Sequence, residues 1–196
     1  MGELEALLRV PAHPVGVAVV AHPHPLHGGT LHTKVVHRAA KLLSDELGFT
    51  ALRFNFRGVG ASHGTHDDGR GEVDDVLAAV RHVREVGPKG PLVLGGFSFG
   101  SLCALRASAT ARPDLLFLIG IPLDFFVDVP VDCPVVWLHG DADQFGSAER
   151  ARAVAEQKGW DLHVIEGSDH FFTGRLDAFE AAAVPALKRA LGVGVR

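Results

Sequence analysis

The chain has 196 residues, with 19 basic and 23 acidic side chains for a formal net charge of −4, and 47% of it is apolar. That length suits one hydrophobic core without staples, and so slight a charge offers neither a basic stripe for nucleic acid nor a polybasic patch for a membrane. There is no tyrosine, which removes Tyr-dependent reductase chemistry, but there are 12 histidines, six of them before residue 38, which could serve metal binding or acid–base work.

From the N-terminus onward, acids occupy the positions where a signal peptide needs a basic region, and Ala6 breaks the myristoylation pattern. Residues 91–105, the longest uncharged stretch, are interrupted by glycines and are shorter than a membrane span. Cys103 and Cys133 are too few for a disulfide framework, and Cys103 reads as a small buried apolar residue. A cytoplasmic protein is expected, folded as a single domain over residues 1–196.

Short apolar runs at 15–21, 51–55, 92–95, 115–119, 135–139 and 162–165 read as strands of a mostly parallel sheet covered on both faces. Residues 3–10 add an antiparallel edge strand, giving about 6–7 strands. Helical patterns lie between them at 33–47, 72–86, 99–111, 147–158 and 175–191. In the second of these, Val73, Val76, Leu77, Val80 and Val83 share a face. Glu72, Asp74 and Asp75 read as helix-start charges opposing the helix dipole, not as a metal or catalytic cluster. The predicted class is α/β, with helices on both faces of the sheet.

Ligands of such sheets bind beyond the carboxyl ends of the strands. The third major run leads into Gly96-Phe97-Ser98-Phe99-Gly100, a G-x-S-x-G pattern with a strand before it and a helix after it. That context is a nucleophile elbow, in which a strained turn exposes the serine hydroxyl above the sheet. Serine needs a histidine to take its proton and an acid to orient that histidine. His170 follows the last strand. Asp143, four residues after His139, is the leading acid, with Asp141 and Asp124 as alternatives, while Asp169 reads as structural. Stabilising an oxyanion needs two donors. The N–H of Phe99 is one; in the loop after the first parallel strand Pro23 and Pro25 have no N–H, which leaves His22, His24 and Leu26, of which His24 is chosen.

These residues resemble the α/β-hydrolase superfamily, specifically its small, lid-free dienelactone-hydrolase-like members. The resemblance rests on HPHP-x-x-GG at 22–29, FNFRGVG-x-S at 54–62, GFSFG at 96–100, HGD-x-D at 139–143 and SDHFF at 168–172, in that order. It implies a Ser98–His170–Asp143 triad and hydrolysis of an ester or related acyl bond. Dienelactone hydrolases proper have a cysteine nucleophile where this chain has Ser98, so their lactone substrate is not carried over.

About fourteen residues separate Gly120 from Val135, too few for a helical lid, so no cap domain is expected and the site should be open. Candidate walls are Leu26 and Phe97, Phe99, Phe125, Phe126, Phe145, Phe171 and Phe172. Arg57 either anchors its loop or binds an acidic substrate group. The expected ligand is a small-molecule ester, with no cofactor, metal, nucleic acid or membrane partner, and monomer and homodimer both stay open. Two rivals remain. One is a metal-dependent hydrolase using the His22/His24/His27 loop, which resembles H-x-H-x-D-H except that Leu26 stands where that motif has aspartate. The other is a hydrolase-fold binding protein without catalysis. Under the serine reading most of the other histidines are structural.

Overall fold

In the computed structural model, which describes residues 2–192, the strands are β1 (Ala6–Arg9), β2 (Gly16–Ala21), β3 (Phe49–Phe54), β4 (Leu92–Phe97), β5 (Leu115–Ile119), β6 (Val135–Gly140) and β7 (Asp161–Ile165). The helices are α1 (Lys34–Asp45), α2 (Arg70–Val86), α3 (Phe99–Ala111), α4 (Ala148–Lys158) and α5 (Leu176–Ala190). One sheet runs in the order β1-β3-β2-β4-β5-β6-β7, with β1 antiparallel to β3 and every other pairing parallel.

The continuous apolar runs are explained by burial on both faces: every residue of β2, β4, β5 and β6 is buried. On one face, α1 and α5 bring Val36, Leu43, Phe179 and Ala183 against Phe49, Phe117 and Ile119. On the other, α2, α3 and α4 bring Val76, Val80, Leu105 and Ala151 against Leu94, Leu116 and Trp137. The chain passes from β2 outward to β3, then reverses across β2 to β4. Right-handed crossovers therefore place α1 and α2 on opposite faces and open a crevice at the carboxyl ends of β2 and β4.

Helix α2 begins two residues earlier than its apolar pattern suggests. Gly69, at φ 85°, caps it while the Glu72 carboxylate accepts from the N–H groups of Asp67 and Gly69. Glu72 is thus a helix-start charge, as expected, but Asp75 is not. It is turned inward, accepting from Arg57 N at 3.0 Å and pairing with the Arg57 guanidinium at 2.8 and 3.0 Å. Cys103 is fully buried, which pushes its thiol pKa up, and Cys133 is likewise a free thiol. Only a 3₁₀ turn, Leu123–Phe125, breaks the segment between β5 and β6, so the rim carries no cap there. Among the described residues, no helix is long and apolar enough to cross a membrane.

Candidate active site

Ser98 sits between β4 and α3 at φ 56°, ψ −122°, a left-handed conformation that costs a non-glycine residue about 1–3 kcal/mol. Its neighbours hold it there. Ser98 N–H donates to Ile119 O at 2.9 Å, and its carbonyl accepts from Ser101 N–H and Ser101 Oγ. The motif glycines are sterically required: a Cβ on Gly96 would lie 2.2 Å from Gly100 O, and one on Gly100 would lie 2.5 Å from both Ala21 O and His22 O. The elbow is therefore clamped between its own helix and the end of β2.

The imidazole of His170, carried on the loop after β7, reaches Ser98. His170 Nε2 lies 2.9 Å from Ser98 Oγ, and Nδ1 lies 2.7 Å from Asp143 Oδ2. A carboxylate accepts only, so Nδ1 carries the proton and the Nε2 lone pair faces the serine hydroxyl. His170 is 1% exposed and ringed by Phe97, Phe145 and Phe171, at centroid distances of 5.0, 4.6 and 5.2 Å. Gly120, at φ 52°, leaves its space open, since a Cβ there would meet the ring at 3.2 Å.

Of the three acids weighed, the structure brings Asp143 to His170. Its other oxygen, Oδ1, accepts from Phe145 N–H at 2.8 Å. Asp141 instead accepts from Ser168 N–H, tying the two loops together, and backbone donors at Gly167 and Ser168 hold its carboxyl below the usual range. Asp124 is exposed and pairs with Arg150. Asp169 accepts from Thr173 N–H, a structural role as expected. Behind the acid, His139 Nε2–H donates to Gly146 O at 2.7 Å, while Nδ1 lies 3.8 Å from Asp143. Burial lowers the His139 pKa.

The loop after β2 is organised by side chains as well as by its prolines. His22 is fully buried, donates from Nδ1 to Pro23 O at 2.6 Å and accepts at Nε2 from Phe56 N–H at 3.0 Å. Burial pushes its pKa down to about 4. Both ring nitrogens are thus engaged within the loops, and His22 does not join His24 and His27 as a metal-binding triad would require. Among the described residues, no group of three His, Cys, Asp or Glu side chains is arranged to hold a metal ion. His24 Nδ1 accepts from Leu26 N–H at 3.2 Å, which engages the Leu26 donor. Among the described residues, the N–H groups of His24 and Phe99 have no acceptor, leaving two donors beside the elbow.

Residues 26–158 match the α/β-hydrolase fold family. The chain belongs to that family. An α-β serine hydrolase homologue from Coxiella burnetii superposes with a TM-score of 0.88 at 35% identity, covering 95% of this chain and 92% of that one. A lid-free α/β serine hydrolase from Xanthomonas campestris gives 0.85 at 32% identity, with 96% and 93% covered. An uncharacterized protein of Rickettsia prowazekii is 36% identical over 183 residues, 85% of this chain and 76% of that protein.

In this α/β-hydrolase, Ser98 and His170 open onto a cavity of about 590 Å³. Phe99, Phe125, Phe145 and Phe171 line it, as the sequence suggests. Phe97 does not: it is fully buried beneath His170, because alternation along β4 turns it into the α1/α5 face. Phe172 packs in the same core against Phe179, and Phe126 packs against Trp160. Leu26 is 69% exposed and outside the cavity wall. Arg57 is also outside it, taken by Asp75, so its role is the loop anchor rather than the substrate contact. Arg106, which no sequence motif singles out, lines the cavity, and so does His66, which the sequence places near the rim without assigning it a role.

Proposed function

We propose that this chain is a serine hydrolase cleaving a carboxylic ester or a related acyl bond through an acyl-enzyme. The observation carrying the reading is the pair of contacts made by one imidazole, 2.9 Å to Ser98 Oγ and 2.7 Å to Asp143 Oδ2. Ser98 Oγ attacks the substrate carbonyl as its proton passes to His170 Nε2. The carbonyl oxygen, now an oxyanion, is met by the N–H groups of Phe99 and His24. Collapse of this intermediate breaks the bond to the leaving alcohol, which takes the proton from Nε2. Water then gives its proton to Nε2 and attacks the acyl group, and Ser98 is regenerated as the acid departs. Throughout, Asp143 fixes the Nδ1–H tautomer and stabilises the imidazolium.

The strain stored at Ser98 and the burial of His170 support this over a non-catalytic binding role, since neither helps a pocket merely to bind. Short-chain p-nitrophenyl esters test it. Ser98→Ala and His170→Ala should each lose on the order of 10³-fold or more in kcat, with Asp143→Asn also strongly impaired through the wrong tautomer. EDTA should leave the rate unchanged. Undiminished turnover by Ser98→Ala would count against the mechanism, and chelator-sensitive turnover would favour the metal reading.

A further inference from the structure

The cavity has two chemically different ends. Phe125, Phe145 and Phe171 form an aromatic end, with two of those rings against His170. The other is built on α3, where Phe99, Leu102 and Arg106 recur at the i, i+3, i+7 spacing of one helix face and all line the cavity. Arg106 lies about 10 Å of helix rise beyond Phe99, and helical side chains lean back toward the N-terminus, here toward Ser98. Room for its guanidinium comes from Gly69, where a Cβ would stand 2.9 Å from Arg106 Nη1.

The neighbouring arginines are already paired: Arg57 with Asp75, Arg70 with Asp67 and Arg150 with Asp124. Among the described residues, half-buried Arg106 has no carboxylate within 4.0 Å and no hydrogen-bond acceptor. The two acids at this end have other roles. Glu72 caps α2, and Asp68, which also lines the cavity, has a side chain 88% exposed to solvent and 3.5 Å from His66 rather than on Arg106. His24, on the same cavity wall, accepts at Nδ1 and so carries its proton on Nε2, a second donor. A half-buried guanidinium with no carboxylate within 4.0 Å, in a wall shared by aromatic rings and imidazoles, is a receptor for an anion.

We propose that Arg106 forms an anion subsite, and that the preferred substrates are esters carrying a carboxylate a few atoms from the scissile carbonyl. The proposal rests on the serine-hydrolase reading above for its chemistry but not for its binding. Monoethyl adipate and monoethyl suberate, each compared with its diethyl ester in a pH-stat, give the selectivity as a ratio of kcat/KM values. The ratio should favour the hemi-ester by at least about tenfold and fall by at least about tenfold in Arg106→Gln, with Arg106→Lys in between. A ratio that is the same in Arg106→Gln, or a native preference for the diester, overturns the subsite. Calorimetric titration in the Ser98→Ala background reads binding without turnover. There, Arg106→Gln should weaken the hemi-ester by at least about tenfold relative to the diester, and equal weakening overturns the subsite. If the native protein cleaves neither ester and a phosphonate leaves Ser98 unlabelled, the hydrolase reading fails, and calorimetry alone decides the subsite.

Discussion

The Cα of Gly100 packs against the carbonyl of His22, so closely that a Cβ would lie 2.5 Å from the His22 oxygen. This contact sets the spacing between the helix that carries Phe99 N–H and the loop that carries His24 N–H. Neither backbone segment can move without disturbing a strand or a helix. A Cβ there must displace one of them, so Gly100→Ala should lose about 3 kcal/mol of stability, while kcat on p-nitrophenyl acetate drops on the order of 10²-fold. Urea midpoints measured beside the kinetics separate the two effects. A variant with native kcat would show that the spacing does not govern the donors.

His22 ties the same loop to Phe56, and its burial makes stability depend on pH. Its folded pKa is about 4 against an ordinary 6.5, so the folded state holds the ring neutral where the unfolded chain begins to protonate it. The stabilisation is complete above about pH 6.5 and is lost as pH falls toward 4, amounting to roughly 3 kcal/mol. In His22→Gln this part of the pH dependence should vanish, and the variant should be less stable at pH 7. Unfolding free energies at pH 7 and pH 4.5 for both proteins check this. Identical slopes would mean that another group carries the dependence.

The Arg57–Asp75 pair is a structural anchor, with side chains 26% and 8% exposed. Removing the acid leaves a partly buried guanidinium and an unpaired Arg57 N–H, so Asp75→Ala should cost about 2 kcal/mol. Because Arg57 lies outside the cavity, the hemi-ester to diester ratio should not change in this variant. Chemical denaturation and the pH-stat assay together test the assignment, and an altered ratio would return Arg57 to the substrate site.

The strands and the elbow were legible because their signals are local. The apolar runs at β2, β4, β5 and β6 have no polar alternation because both faces are covered. The order Ser98, Asp143, His170 follows from which strands precede them. Side-chain direction was harder to read. Phe97 and Phe99 look alike in sequence, yet the first belongs to a strand facing the core and the second begins a helix facing the cavity. Asp75 is hidden among helix-start acids, and only the fold shows that it faces Arg57. Arg106 did leave a trace: it is the charged residue completing the Phe99, Leu102 face of α3. His66 stands near the rim in the sequence, but its place on the cavity wall depends on tertiary packing, which brings its ring to 5.7 Å from Phe99.

The central claim, that Ser98 is a nucleophile activated by His170, is tested most directly by a fluorophosphonate followed by peptide mapping. One adduct per chain is expected, on the peptide containing Ser98, with labelling slowed by orders of magnitude in His170→Ala. An adduct on another residue, or labelling of Ser98 at the same rate in His170→Ala, would contradict it.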